Sequence, residues 1–247
     1  MKERLAAGET LIGSFLSLGS PLAAEALGLA GFDWLLVDLE HGGGQESQLL
    51  AQVLGARAAG VHALVRVESA ERSRTARVLD LGVEGVMCPQ VNSGDTASAW
   101  AAALHYAPDG NRGVALSHRA ARFGTDPDAL ENARRTTLGV AQIESPAAVE
   151  EVERIAAVPG IDVVFIGPSD LTFSMGIFRQ FDSPRYRGAV ERVVAAARDA
   201  GKTAGIFLSS PEGIPRTLAD GFRMIGVGSD ASFMMAGAKA ALAMRAG

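Results

Sequence analysis

The segment TLGVAQIESPAAVEEVERIAAVPGIDVVFIG, residues 137–167, contains the unit from which this chain is built. An apolar run (residues 137–144) precedes a longer amphipathic run that opens at a proline (146–157), and a second apolar run follows (162–167). Short continuous apolar runs indicate strands buried on both faces, as in a parallel sheet, and proline is tolerated in the first turn of a helix. The segment therefore predicts a strand, a helix and a second, parallel strand.

The same alternation extends in both directions from this segment. Including the two strands above, eight strands are predicted, over residues 11–18, 33–40, 63–67, 85–91, 137–144, 162–167, 204–208 and 223–228. An open doubly wound sheet would usually carry a phosphate-binding glycine fingerprint after its first strand, and neither Gly-x-Gly-x-x-Gly nor a Walker-type loop occurs there. The length of 247 residues suits one barrel. We therefore predict an α/β fold, a single (β/α)8 TIM-barrel domain over residues 1–247.

Amphipathic runs between the strands predict the helices. One opens at Pro21, and the others cover residues 46–59, 76–81, 97–105, 146–157, 185–200, 215–219 and 233–245. The long connection over residues 107–135 is rich in Gly, Pro, Asn and Arg. Because connections of this length are usually functional or flexible, we predict it as a loop.

Composition excludes several classes of protein. The net charge of −5 argues against non-specific nucleic-acid binding, which needs a basic surface. No apolar stretch approaches the roughly 20 residues that span a bilayer, and residues 1–10 are too polar for a secretory signal. The single cysteine, Cys88, excludes an internal disulfide. We expect a cytoplasmic protein that acts on small molecules, without nucleic-acid or membrane partners.

Polar residues at the strand ends define the candidate site, because the chemistry of such barrels sits at the carboxyl ends of the strands. The residues at these ends are Glu40, His41, Arg66, Gln142, Glu144, Gly167, Ser169, Asp170, Ser229 and Asp230. Asp80 lies elsewhere, on the third predicted helix, close to the loop that enters the fourth strand.

Glu144 and Asp170 end neighbouring strands, so their carboxylates can reach one point. Oxygen ligands suit Mg²⁺, Mn²⁺ or a similar divalent ion. The alternative is a solvated helix cap for Asp170 and a salt bridge for Glu144. The lysines narrow the chemistry, because Lys2, Lys202 and Lys239 are the only ones and none ends a strand. A Schiff-base aldolase needs a lysine in its site, so carbonyl chemistry here would need a metal.

Arg66 and His41 each allow two interpretations. The guanidinium of Arg66 suits a carboxylate or a developing enolate oxygen, or it forms a structural ion pair with Glu40 or Glu144. His41 at a strand end suits a general base, although a lone histidine is often structural. Three other residues (His62, His105 and Cys88) are interpreted as structural.

Six segments together resemble the HpcH/HpaI family of metal-dependent pyruvate aldolases. They are DWLLVDLEH (33–41), VRV (65–67), LDLGVEGVMCPQV (79–91), GNRGV (110–114), QIES (142–145) and FIGPSDL (165–171), and they run in order along almost the whole chain. The resemblance implies a class II aldolase that joins pyruvate or a related 2-keto acid to an aldehyde.

The same resemblance implies roles for single residues. Glu144 and Asp170 would bind Mg²⁺, Mn²⁺ or Co²⁺, with no organic cofactor, and Arg66 would stabilise the enolate oxygen. His41 and Asp80 would form a dyad that moves the aldol hydroxyl proton. The keto acid would contact Gln142, Gly167 and the backbone N–H groups near Ser169 and Asp170, at the start of a short helix.

The resemblance also implies a homohexamer, a trimer of dimers in which the last helix is exchanged between partners. Arg112 would belong to a loop near the site. Two other functions stay open at this point: a lyase acting on an acyl-CoA or citrate-type substrate with a similar metal site, and a non-catalytic protein that binds keto acids.

Overall fold

Eight parallel strands close into one barrel in chain order in a computed structural model, which describes residues 1–244. The strands are β1 Leu11–Leu16, β2 Trp34–Asp38, β3 His62–Arg66, β4 Gly85–Cys88, β5 Leu138–Ile143, β6 Val163–Ile166, β7 Thr203–Leu208 and β8 Met224–Ser229. Each pairs with both neighbours, and β1 closes the barrel against β8. The predicted TIM-barrel fold is confirmed, and each predicted strand is found within a few residues of its expected bounds.

The helices follow the strands and surround the barrel. They are α1 Lys2–Ala6, α2 Pro21–Leu29, α3 Glu46–Ala58, α4 Arg72–Asp80, α5 Gly94–Leu104, α6 Ala129–Thr136, α7 Pro146–Glu150, α8 Val152–Ala156, α9 Pro168–Ser174, α10 Pro184–Asp199, α11 Ile214–Ala219 and α12 Asp230–Ala243. Two short 3₁₀ segments, Arg119–Gly124 and Pro211–Gly213, complete the list. Among the helices within residues 1–244, none has the length and apolar character needed to cross a membrane.

Two apolar layers hold the barrel together. Side chains that point into the barrel, among them Trp34, Phe165 and Met87, form one buried cluster, and those between the strands and the helices form the other. The indole of Trp34 fills the space beside Gly13, where an added Cβ would lie 2.1 Å from the ring. The barrel interior is therefore packed around these side chains, and a cavity opens toward its carboxyl end, where the side chains become polar.

Several predicted elements differ from the structure, among them the helices predicted over 76–81 and 97–105, which begin earlier, at Arg72 and Gly94. The connection over residues 107–135 is not an irregular loop, because it contains the 3₁₀ segment and most of α6. Its many charged residues hide the helix, since few apolar positions mark a buried face. The helix predicted over 146–157 is two helices, α7 and α8, that meet at Glu151. The last helix begins earlier than predicted, at Asp230, and the predicted end at residue 245 lies outside the described residues.

The direction of the chain decides which loops share an end of the barrel. Loops that follow strands lie at the carboxyl end, and loops that follow helices lie at the opposite, amino end. The connection between α5 and β5 therefore belongs to the amino end, as does the end of α4. The short helix α1 also lies there, since Lys2 contacts the carbonyl of Thr137 and the carboxylate of Asp162, which flank the starts of β5 and β6.

Candidate active site

A cavity of about 280 Å³ opens at the carboxyl end of the barrel. Seven strands and their following loops contribute to its lining, which consists of Phe15, Ser17, Asp38, His41, Arg66, Gln142, Glu144, Gly167, Pro168, Ser169, Asp170, Phe207 and Ser229. The structure thus brings together seven of the eight predicted site residues in one cavity, and Asp80 is the exception.

Glu144, just after β5, is the most deeply buried acid of the cavity, with 3% of its surface exposed. Its Oε1 accepts a hydrogen bond from Nε2 of Gln142 (2.9 Å), and its Oε2 accepts one from the backbone N–H of Gln90 (3.0 Å). Burial, followed by the charges of Asp170 and Glu40, raises the pKa of Glu144 to about 7, against the opposing effects of the Gln90 hydrogen bond and Arg66. Neutral donors hold this carboxylate in place but do not neutralise its charge.

Gly167 makes room for that carboxylate. A Cβ at this position would lie 2.4 Å from Oε1 of Glu144, so a larger residue would displace the acid. Gly167 is also the N-cap of α9, whose first turn carries the exposed Ser169 and Asp170. The hydroxyl of Ser174, at the end of α9, donates to the carbonyl of Glu144 (2.8 Å), which ties the helix to the end of β5.

Arg66, at the end of β3, is held by two acids of β2 and its loop. Its Nε and Nη2 donate to the two oxygens of Asp38 (2.9 and 2.7 Å), and Nη1 lies 3.1 Å from Oε2 of Glu40. Asp38 and Arg66 are direct partners in the strand register, so the pair points into the cavity together. The structural ion pair that the sequence allowed is therefore present, but its main partner is Asp38, which sequence reasoning missed.

A period-two reading of VDLEH could have found Asp38. Side chains two residues apart on a strand share a face, so Asp38 and Glu40 face the same side. Burial raises the pKa of Glu40, and the positive charge of Arg66 opposes that effect. The cavity thus contains more acidic than basic side chains. Buried acids in excess of their basic partners are unusual unless a cation binds beside them.

His41 and Asp80 do not meet within one chain. His41 lies at the mouth of the cavity, with 65% of its side chain exposed and Nε2 3.9 Å from Oε2 of Glu40. Asp80 ends α4 at the amino end of the barrel, where it accepts a hydrogen bond from Arg112 (2.7 Å) and lies 3.3 Å from Nε2 of His118. The structure therefore does not bring the predicted dyad together within one chain.

Four further residues line the cavity opposite Glu144. Phe15 and Phe207 pack against each other with ring centroids 4.9 Å apart and ring planes tilted by 60°, and Ser17 and Ser229 also line this wall. Phe15 also faces the guanidinium of Arg66 at 5.4 Å. Sequence reasoning left these residues out because apolar and small side chains on strands give no functional signal. Ser229 was noted only as a strand end.

The donor set fits a divalent cation. In the described part of the chain no cluster of three or more His, Cys, Asp or Glu side chains is arranged as a metal site. Two carboxylates, Glu144 and Asp170, nevertheless face one cavity, and the buried Oε1 of Gln142 has no hydrogen-bond partner. An ion such as Mg²⁺ often takes only one or two carboxylates from the protein and completes its shell with water and substrate oxygens.

A closed parallel barrel with opposed charges at the carboxyl ends of its strands is the layout of a barrel enzyme. The chain belongs to the HpcH/HpaI aldolase/citrate lyase family, whose model matches residues 11–236.

Individual relatives agree with this assignment. The chain is 37% identical to the 5-keto-4-deoxy-D-glucarate aldolase of Klebsiella pneumoniae, over 93% of this chain and 90% of that protein. It is 38% identical to the hydroxypyruvate/pyruvate aldolase of Paraburkholderia phytofirmans, over 98% and 95%. The crystal structure of an HpcH/HpaI family protein from Burkholderia cenocepacia superimposes with a TM-score of 0.95 at 37% identity, over 100% of this chain and 98% of that one. The predicted family and the predicted enzyme class, an aldolase and thus a carbon–carbon lyase, are confirmed.

Proposed function

We propose that this enzyme is a class II pyruvate-type aldolase, which reversibly adds pyruvate or hydroxypyruvate to an aldehyde to give a 4-hydroxy-2-keto acid. One observation carries the metal-dependent part of the proposal: a buried carboxylate, Glu144, faces a second acid, Asp170, across from Arg66 and has no cationic partner of its own. The similarity to the hydroxypyruvate/pyruvate aldolase named above supports pyruvate or hydroxypyruvate as the donor class.

The donor would bind on the β5–β6 side of the cavity. Glu144 and Asp170 would hold Mg²⁺, Mn²⁺ or Co²⁺, which would supply Lewis-acid polarisation of the keto group. Backbone N–H groups at the start of α9, near Ser169, would hold the donor carboxylate. The amide of Gln142 would contact the same keto acid. This side of the cavity would therefore orient the donor for loss of a proton from its C3 carbon.

Arg66 would stabilise the negative charge that develops on the keto oxygen. Its guanidinium is fixed by two hydrogen bonds to Asp38 and by an ion pair with Glu40, so the N–H groups that these acids leave free would bind the keto oxygen without further ordering. Preorganised donors of this kind typically contribute 10²–10³-fold to the rate. The buried ion pair with Asp38 would therefore hold the guanidinium of Arg66 in a fixed orientation, as an oxyanion donor requires.

The aldehyde would bind on the opposite side, against Phe15 and Phe207, with Ser17 and Ser229 at its edge. His41, exposed at the mouth, would move the proton of the aldol hydroxyl. Asp80 could join it only from a second copy of the chain, since it lies at the other end of its own barrel. This arrangement agrees with the expected homohexamer, in which the exposed α12 would pack against a partner.

Neither alternative function is favoured by an observation of this kind. A CoA substrate would need basic residues near the mouth, and the 3₁₀ segment with Arg119 and Arg122 lies at the opposite, amino end of the barrel in the same chain. A passive keto-acid binder would give the buried Arg66–Asp38 pair no chemical purpose. The aldolase proposal accounts for both donor and acceptor sides of the cavity.

The test is exchange of donor protons with solvent, which requires no knowledge of the aldehyde. The protein is incubated in D₂O with pyruvate or hydroxypyruvate, with and without Mg²⁺, Mn²⁺ or Co²⁺, and the signals of the C3 protons are followed by NMR. We expect metal-dependent loss of signal that chelator abolishes. A Glu153→Gln variant, which changes an exposed ion pair with Arg192, serves as the control and should exchange normally. Exchange that is unaffected by exhaustive chelation, or absent with both donors and all three metals, contradicts the proposal.

A further inference from the structure

Asp230, the first residue of α12, is a buried carboxylate that the chemistry above does not use. It is 6% exposed, and its partners are neutral groups of the segment that follows β1. Its Oδ1 accepts hydrogen bonds from the backbone N–H and the hydroxyl of Ser17, both at 2.9 Å, and its Oδ2 accepts one from the N–H of Leu18 (3.1 Å). One carboxylate thus determines where the chain runs after β1.

The segment held in this way is part of the cavity wall. Ser17 lines the cavity, and its carbonyl accepts a hydrogen bond from Gly43 (2.7 Å), in the loop that follows β2. Ser229, the residue before Asp230, lines the cavity as well and caps α12. The end of β1, the end of β8 and the start of α12 therefore form one hydrogen-bonded unit at the edge of the site.

This unit lies on the acceptor side of the cavity. In the strand order β1 is four positions around the barrel from β5, whose end carries Glu144, so the two face each other. Phe15, at the end of β1, pairs with Ser229 in the register with β8. Displacing Ser17 would thus change the wall against which the aldehyde rests and leave the donor side in place.

We infer that Asp230 is a positioning residue for the aldehyde acceptor, an inference that rests on the proposed aldolase function. It holds Ser17 and Leu18 against the start of the last helix and touches neither substrate. Its loss should impair use of the aldehyde and spare activation of the keto acid. A residue that only stabilised the fold would affect both steps together.

The test is an Asp230→Asn variant measured in two assays on the same sample. Asparagine keeps the size of the side chain but removes the charge and one acceptor oxygen. Loss of a hydrogen bond to a charged group changes an equilibrium constant by on the order of tenfold. We therefore expect the KM for the aldehyde in aldol addition to rise about tenfold, with metal-dependent exchange of the donor protons within about threefold of the unmodified enzyme. The exchange assay also reports that the variant is folded.

Asp33→Asn is the matched control. Oδ2 of Asp33 accepts a hydrogen bond from the N–H of Ile12 (3.0 Å), the same type of contact at the other end of β1. It should leave the aldehyde KM unchanged. An unchanged KM in Asp230→Asn, or a parallel fall of exchange and addition, overturns the positioning role while the proposed function stands. Absence of exchange in the unmodified enzyme overturns both.

Discussion

Replacing Glu144 by Gln should raise the free energy of unfolding of the metal-free enzyme. The same replacement should abolish the metal-dependent activity. Burial and neighbouring acids raise the pKa of Glu144 from 4.5 to about 7. One pKa unit corresponds to about 1.4 kcal/mol, so ionising this buried group in the folded chain costs about 3 kcal/mol relative to the unfolded chain. Glutamine carries no charge at this position. If the side-chain amide of Gln142 flips, its unpartnered Oε1 can accept a hydrogen bond from the amide of the new glutamine.

The pH dependence follows from the direction of the shift. Because the folded-state pKa is raised, the carboxyl group is protonated in both states at low pH, and stability is lost as the pH rises from about 4.5 to about 7. The advantage of the variant should therefore be below about 1 kcal/mol at pH 5 and reach about 3 kcal/mol at pH 8. A bound divalent ion should reverse this order, since it stabilises only the chain that binds it.

Urea unfolding of chelator-treated protein, at equal protein concentration and at both pH values, measures this difference. Glu153→Gln is the control, because Arg192 and not burial sets the pKa of that exposed acid, and it should change stability little at either pH. The reasoning is refuted if Glu144→Gln is less stable than the unmodified chain at pH 8 without metal. It is also refuted if the difference is the same at pH 5.

Two further predictions concern Arg66 and the last helix. Arg66→Lys keeps a positive charge beside Asp38 but loses the planar fork, so metal-dependent exchange of pyruvate protons should fall about a hundredfold; a loss under tenfold would remove Arg66 from the mechanism. Met235→Glu places a charge on the exposed apolar surface of α12, where Met235 and Leu242 are 52% and 60% exposed. Burial of such a side chain contributes about 1.5–3 kcal/mol, so light scattering after gel filtration should show a smaller assembly than the unmodified enzyme. Glu153→Gln, which changes an exposed ion pair outside α12, should not. A monomeric unmodified chain would contradict the expected hexamer.

The fold and the donor side of the site could be predicted from the sequence. Eight apolar runs separated by amphipathic runs leave little choice of architecture, because each run must be buried on both faces. The carboxyl ends of parallel strands meet at one end of a barrel, so Arg66, Glu144 and Asp170 could be grouped without coordinates. The local sequence carries this information, because the direction of each strand and the alternation of its side chains determine which residues lie at the carboxyl end of the barrel.

Only the tertiary structure decided which groups contact one another across the barrel. The partner of Arg66 is Asp38, the carboxylate of Glu144 needs the space left by Gly167, and Asp230 holds Ser17 from the other end of the chain. These contacts depend on register and on distances of a few ångströms between segments remote in sequence. No local pattern encodes such distances, because closure of the barrel, and not the nature of each segment, brings the partners together.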